Sequence, residues 1–112
     1  MPCLLVQTNV DMADKTGFMQ RCSSVLASVL GKPESYVMIN ISDNNPMLFA
    51  GSDAPLAYLE LKSLGLNSAQ APDLSAKLCS FMHDELGIDS ARIYIEFAAP
   101  ERAMFGWKGG TF

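Results

Sequence analysis

The sequence predicts an α/β fold, a two-layer sandwich in which two helices cover one face of a four-stranded mixed sheet. Three observations lead there. The segment Leu30-Gly31-Lys32-Pro33-Glu34-Ser35-Tyr36-Val37-Met38-Ile39-Asn40-Ile41 aligns without a gap on Leu86-Gly87-Ile88-Asp89-Ser90-Ala91-Arg92-Ile93-Tyr94-Ile95-Glu96-Phe97, an offset of 56 in a chain of 112 residues. Each half reads strand, helix, strand, a unit whose two strands normally become parallel neighbours. The four strands also alternate so that one face of the sheet is almost wholly apolar.

Taken in order, the first strand is expected over residues 3–10, with Leu4, Val6, Thr8 and Val10 in one phase. Phe18, Cys22, Val25, Leu26 and Leu30 then recur at i, i+4, i+7, i+8 and i+12, an apolar helical stripe. Gly31 stands where such a helix stops. A second strand is expected over residues 36–41, with Val37, Ile39 and Ile41 in phase. Residues 43–55 carry Asn44-Asn45-Pro46 and Gly51-Ser52-Asp53, a turn-rich joint between the halves, with a short strand expected at 47–49. Strand, helix and strand then return over residues 56–63, a stripe of Leu74, Leu78, Phe81, Met82 and Leu86 ending at Gly87, and residues 92–97. The reading is one domain over residues 1–112, with copies at about 1–50 and 56–100 and a tail at 101–112. The sheet face away from the helices carries Gln7, Asn9, Met38, Asn40, Tyr58, Glu60, Lys62, Tyr94 and Glu96, with Leu5 among them. Such a mixed face suits contact with another subunit better than bare solvent.

Composition narrows the function. A 49% hydrophobic content supplies a core and excludes a disordered chain. Eight basic against twelve acidic side chains, a net charge of −4, argue against nucleic acid, which needs a clustered basic surface. No apolar run reaches membrane-spanning length, and no basic flank opens a signal sequence. A cytoplasmic protein is expected, with leaderless export as the other route. Cys3, Cys22 and Cys79 are an odd number without close spacing, so buried thiols are expected rather than a disulfide framework or a zinc site. There is no Gly-rich phosphate loop, no metal-ligand cluster and no nucleophile elbow, so neither cofactor nor metal is expected. His83 is the lone histidine and reads as a surface or capping residue, with Asp84-Glu85 beside it as a solvated edge.

What remains is Pro2. Removal of Met1 would leave a secondary amine at the head of an apolar strand, whereas a retained Met1 makes the same nitrogen an amide without basicity. A free α-amino group titrates near about 7.7–8.0, and partial burial lowers that value towards the range where a base works at neutral pH. Proline's ring also fixes the direction of the nitrogen lone pair.

Met1-Pro2-Cys3-Leu4-Leu5-Val6-Gln7-Thr8-Asn9-Val10 resembles the start of the macrophage migration inhibitory factor family of the tautomerase superfamily. The likeness continues through Gly31-Lys32-Pro33, Tyr36, Met47-Leu48-Phe49-Ala50-Gly51-Ser52, Ser63-Leu64-Gly65 and Ile93-Tyr94-Ile95 to Gly106-Trp107 and Thr111-Phe112. Each motif is weak alone; their order and spacing over the whole chain are specific. The resemblance implies a homotrimer with active sites at subunit interfaces. It also implies a keto–enol tautomerase acting on small aromatic 2-oxo acids such as phenylpyruvate, or on dopachrome derivatives. On that pattern Pro2 matches the base, and Lys32 and Leu64 match positions that hold the substrate's polar groups, Leu64 through its backbone. Tyr94 matches a tyrosine lent by a neighbouring subunit, while Tyr36, Phe105, Trp107 and Phe112 match an aromatic pocket mouth. The chain departs from the family at Glu96, where the best-known members have asparagine. An ionised carboxylate cannot donate a hydrogen bond, and near Pro2 it would raise the amine's pKa and repel anionic substrates. Phe105 replaces a smaller aliphatic residue and narrows the pocket. The Cys-x-x-Cys of some relatives is Leu56-Ala57-Tyr58-Leu59 here, so thiol–disulfide chemistry at that place is not expected. The reading of a different class is a cytokine-like interaction protein, with a vestigial pocket and a receptor that the sequence does not name.

Overall fold

A computed structural model describes residues 1–112. Strand β1 (Pro2–Thr8) leads to helix α1 (Lys15–Leu30) and strand β2 (Met38–Ser42); β3 (Ala57–Ser63), α2 (Ala71–Leu86) and β4 (Ile93–Ala98) repeat the pattern. The sheet order is β2-β1-β3-β4. Each strand–helix–strand unit closes as a parallel pair, β1 with β2 and β3 with β4, and the halves join through the antiparallel β1–β3 pair. The sheet is therefore mixed and the fold α/β, as the repeat predicts.

Register places Leu4 beside Ile39 and Leu61, Val6 beside Ile41 and Leu59, and Leu59 beside Ile95. Those side chains share the face that receives Phe18, Cys22 and Leu26 of α1 and Leu74, Leu78 and Met82 of α2. Burying that apolar surface, at about 25 cal/mol per Å², is what makes both helices stable at 16 residues each. Local sequence sets their ends. The Asp14 carboxylate accepts the Gly17 N–H at 3.0 Å, an N-cap. Gly31 and Gly87 adopt φ of 62° and 69° and end the two helices in the left-handed conformation that glycine takes without strain.

Several expectations need correction. β1 stops at Thr8 rather than residue 10, because the buried Thr8 hydroxyl donates to the Leu56 carbonyl at 2.7 Å and accepts the Val10 N–H at 3.1 Å. The second strand starts at Met38: Tyr36 belongs to a short 3₁₀ turn opened by Pro33, and the Val37 N–H is used by the Glu34 carbonyl. Residues 47–49 form no strand, only a single bridge between Phe49 and Ser52 across a tight turn with Ala50 and Gly51 at φ of 53° and 74°. The tail folds into a hairpin, β5 (Gly106–Trp107) with β6 (Gly110–Thr111), which the alternation did not reveal. Of the cysteines only Cys22 is fully buried; burial pushes its thiol up to about 12, while Cys3 and Cys79 are half-buried. The His83 ring bonds the Ile88 carbonyl through Nδ1 at 3.2 Å, a capping contact just past α2. Glu85 is not a solvated edge: its Oε1 accepts Nε and Nη2 of Arg21 at 2.9 and 2.7 Å, tying α2 to α1. No helix is long and apolar enough to cross a membrane.

Candidate active site

Pro2 opens β1, is buried, and pairs in register with Ser63 at the end of β3. It thus sits at one end of the two central strands. Met1 beside it lines a cavity of about 240 Å³ with Tyr36, Met38, Phe105, Trp107 and Phe112. Three elements converge there: the turn after α1 brings Tyr36, the tail hairpin brings Trp107, and the chain end brings Phe112. The Tyr36 ring stands edge-on to Trp107 at 5.4 Å and to Phe112 at 6.0 Å. Trp107 stacks on Phe112 at 5.3 Å and 16°, and Phe105 tilts against Phe112 at 6.1 Å. The Phe112 N–H donates to the Phe105 carbonyl, which fixes the chain end against the hairpin. Such walls accept a flat aromatic group and exclude water from it.

A polar hollow of about 290 Å³ adjoins the same strand ends, lined by Lys32, Ser63, Leu64 and Gly65 among others. Lys32 Nζ reaches the Leu64 carbonyl at 3.4 Å, so the two residues stand together. The terminal amine is that of Met1, which lines the aromatic cavity. Burial lowers its pKa first, and the positive charges of Lys32 and Arg102 lower it further. A larger hollow of about 360 Å³ beside the start of α2, at Leu66, Ala71 and Phe97, contains no titratable side chain, and we assign it no chemistry.

Two of the expected residues lie elsewhere in the chain. Tyr94 registers with Tyr58, which registers with Gln7. Gln7 is five residues along β1 from Pro2, about 17 Å at the usual strand rise, so Tyr94 cannot serve Pro2 of its own chain. Its ring is 65% exposed and packs on Phe49 at 4.8 Å. Glu96 registers with Glu60 and through it with Leu5, on the face away from the helices. Its carboxylate meets the Tyr58 hydroxyl at 3.1 Å, and Glu60 meets the same hydroxyl at 3.0 Å. The Tyr58 hydroxyl is pushed up to about 12, by Glu60 first, then by burial and Glu96. Within one chain Glu96 is thus engaged with Tyr58 rather than with Pro2.

Sequence reasoning missed Arg102, whose Nε donates to the Phe112 carbonyl at 3.2 Å. It also missed Lys108, whose Nζ lies 5.7 Å from the centre of the Trp107 ring. Their only signal was the presence of cations in an aromatic tail.

The family model described as Macrophage migration inhibitory factor (MIF) matches residues 1–112. A macrophage migration inhibitory factor homolog of Brugia malayi is 38% identical, with 100% of this chain and 99% of that protein covered. Macrophage migration inhibitory factor of Mus musculus is 35% identical with the same coverage. Among solved structures, a homologue from Prochlorococcus marinus superposes with a TM-score of 0.93 at 38% identity, covering 98% of both chains. One from Trichinella spiralis superposes with a TM-score of 0.93 at 33% identity, covering 98% of this chain and 99% of that one. The chain belongs to the macrophage migration inhibitory factor family.

Proposed function

We propose that the chain, once freed of Met1, is a keto–enol tautomerase of small aromatic 2-oxo acids, with the nitrogen of Pro2 as its proton-moving base. The observation that carries this reading is the place of the amine. Pro2 begins the strand behind Met1, which lines the aromatic cavity, and it registers with Ser63 of the lysine-bearing hollow. The Met1 amine one residue ahead of it has its pKa lowered by burial, Lys32 and Arg102, and the same surroundings would act on a Pro2 amine. A secondary amine lowered in the same direction would be available as a neutral base near pH 7.

In the keto-to-enol direction the amine takes a proton from the carbon next to the carbonyl. The C–H electron pair becomes the carbon–carbon double bond, and the carbonyl oxygen, gaining charge, takes a proton from water. In the reverse direction the ammonium returns its proton to carbon and the enol oxygen loses its own. No cofactor is required for this exchange. Lys32, held towards Leu64, stabilises the charge growing on oxygen, and Tyr36, Trp107 and Phe112 clamp the ring so that the reacting carbon faces Pro2. Tyr94 completes the site from another chain. The distance argument, the exposure of Tyr94 and the mixed sheet face support a homotrimer with sites between subunits.

Replacing Pro2 by glycine tests the reading. The substitution keeps a terminal amine but removes the ring that directs its lone pair. With both proteins shown by intact mass to lack Met1, Pro2→Gly is expected to lower phenylpyruvate tautomerisation about 100-fold or more, the usual worth of a positioned base. Equal turnover in the two proteins contradicts the assignment.

A further inference from the structure

The eight basic residues of this acidic chain are unevenly employed. Lys15, Arg21 and Lys77 form ion pairs with Asp43, Glu85 and Asp73. The Arg92 guanidinium is consumed by the carbonyls of Phe49, Ser52, Ala54 and Pro55. The other four, Lys32, Lys62, Arg102 and Lys108, make no ion pair. All four gather at the Pro2 end of the sheet. Lys32 faces Leu64, Lys62 registers with Cys3 on the cavity wall, Lys108 overhangs Trp107, and Arg102 is fastened to Phe112. A chain of net charge −4 that leaves its unpaired cations at one end of the sheet presents an anion-attracting region there.

Among the four, Arg102 has the geometry for a specific contact. Its Nε is spent on the Phe112 backbone carbonyl, which ties the guanidinium to the chain end whose ring stacks on Trp107. Neither Nη makes a hydrogen bond within the chain, so an edge of the guanidinium fork stays open. That planar edge matches a carboxylate better than the point charge of Lys32, which leans on the Leu64 carbonyl.

We propose that Arg102 is the carboxylate-binding residue of this site, gripping the acid group of an aromatic ligand whose ring lies among Tyr36, Trp107 and Phe112. The proposal rests on the site reading above and deepens it. Arg102 takes the carboxylate and sets the preference for acids over neutral aryl ketones, which leaves Lys32 to face the reacting oxygen.

A binding measurement separates this from turnover, because Trp107 is the only tryptophan of the chain and its emission reports on the cavity. Met1-free protein is titrated with 3-phenylpropionate and with its uncharged amide, neither of which can tautomerise as a 2-oxo acid does. Wild type is expected to bind the acid more tightly than the amide. Arg102→Ala is expected to weaken the acid about fivefold, the worth of an exposed charged pair, and to leave the amide unchanged. Arg102→Lys should fall between. Equal weakening of acid and amide reduces Arg102 to a prop for Phe112 and overturns the proposal. An acid preference that survives Arg102→Ala but vanishes in Lys32→Ala also overturns it, while sparing the proposed reaction. If neither ligand alters Trp107 emission in wild type, the cavity is not the ligand site and both readings fall.

Discussion

At the scale of single residues, the chain uses a few polar groups to fix the loops that frame the sheet. Asp43, just after β2, accepts the Met12 N–H at 2.9 Å and pairs with Lys15 at 3.1 Å. The Met12 bond first, and Lys15 after it, outweigh partial burial and hold the carboxyl below its usual range. A group whose pKa is depressed by folding contributes stability above its unfolded value, near about 3.9, and loses it as pH falls through the folded value. Asp43→Asn is therefore expected to lower the urea midpoint at pH 7, with the gap to wild type closing as pH drops below about 4. A gap of constant size across that range would mean that the charge is not what stabilises the joint. Of these residue-level roles the sequence showed little. Asp43 has no local partner, since its two contacts come from the far side of α1's approach. Pro2 stands out as a candidate because the family resemblance begins at the chain end that carries it. Arg102 does not stand out, because its contact depends on where the last residue of the chain lies.

At the scale of elements, whatever depends on period was legible. The i, i+4, i+8 rows of both helices reappear as Phe18, Cys22, Leu26 and Leu74, Leu78, Met82 in the core. The strand phases reappear in the register of Leu4, Val6, Leu59 and Leu61. What depends on non-local hydrogen bonds was not. The loop before β3 is shaped by Arg92, which donates to four of its carbonyls at 2.9–3.1 Å and lies 5.4 Å from the Phe49 ring centre. Residues 47–49 have apolar character, yet that clamp curls the chain before a strand can extend. The β5–β6 hairpin turns on Lys108 and Gly109, at φ of 54° and 77°, and its strands are two residues long. Two residues are too short for alternation to register, although Gly109-Gly110 is the kind of turn signal that could have marked it.

At the scale of the whole molecule, the sheet has one covered face and one open one. Met38 and Tyr94 are 63% and 65% exposed there, and Tyr94 registers with Tyr58 of the Tyr58–Glu60–Glu96 cluster. The mixed character of this face was legible from alternation; what covers it was not, because a partner's surface is not written locally. The proposed assembly of three chains, each lending Tyr94 to a neighbour's Pro2, would satisfy both the open face and the incomplete site. Sedimentation at micromolar concentration is expected to show a species of three chains, and a monomer would contradict that assembly. The central claim concerns one nitrogen. Its most direct test is the pH dependence of kcat/KM for phenylpyruvate, measured from pH 5 to 9 on Met1-free protein. Because the base acts unprotonated, and burial and Lys32 lower the pKa of the Met1 amine one residue ahead of it, the same surroundings predict that kcat/KM rises to a plateau with a midpoint below about 7.7, and that Lys32→Met moves that midpoint up. A profile that stays flat, or a midpoint indifferent to Lys32, would contradict Pro2 as the base.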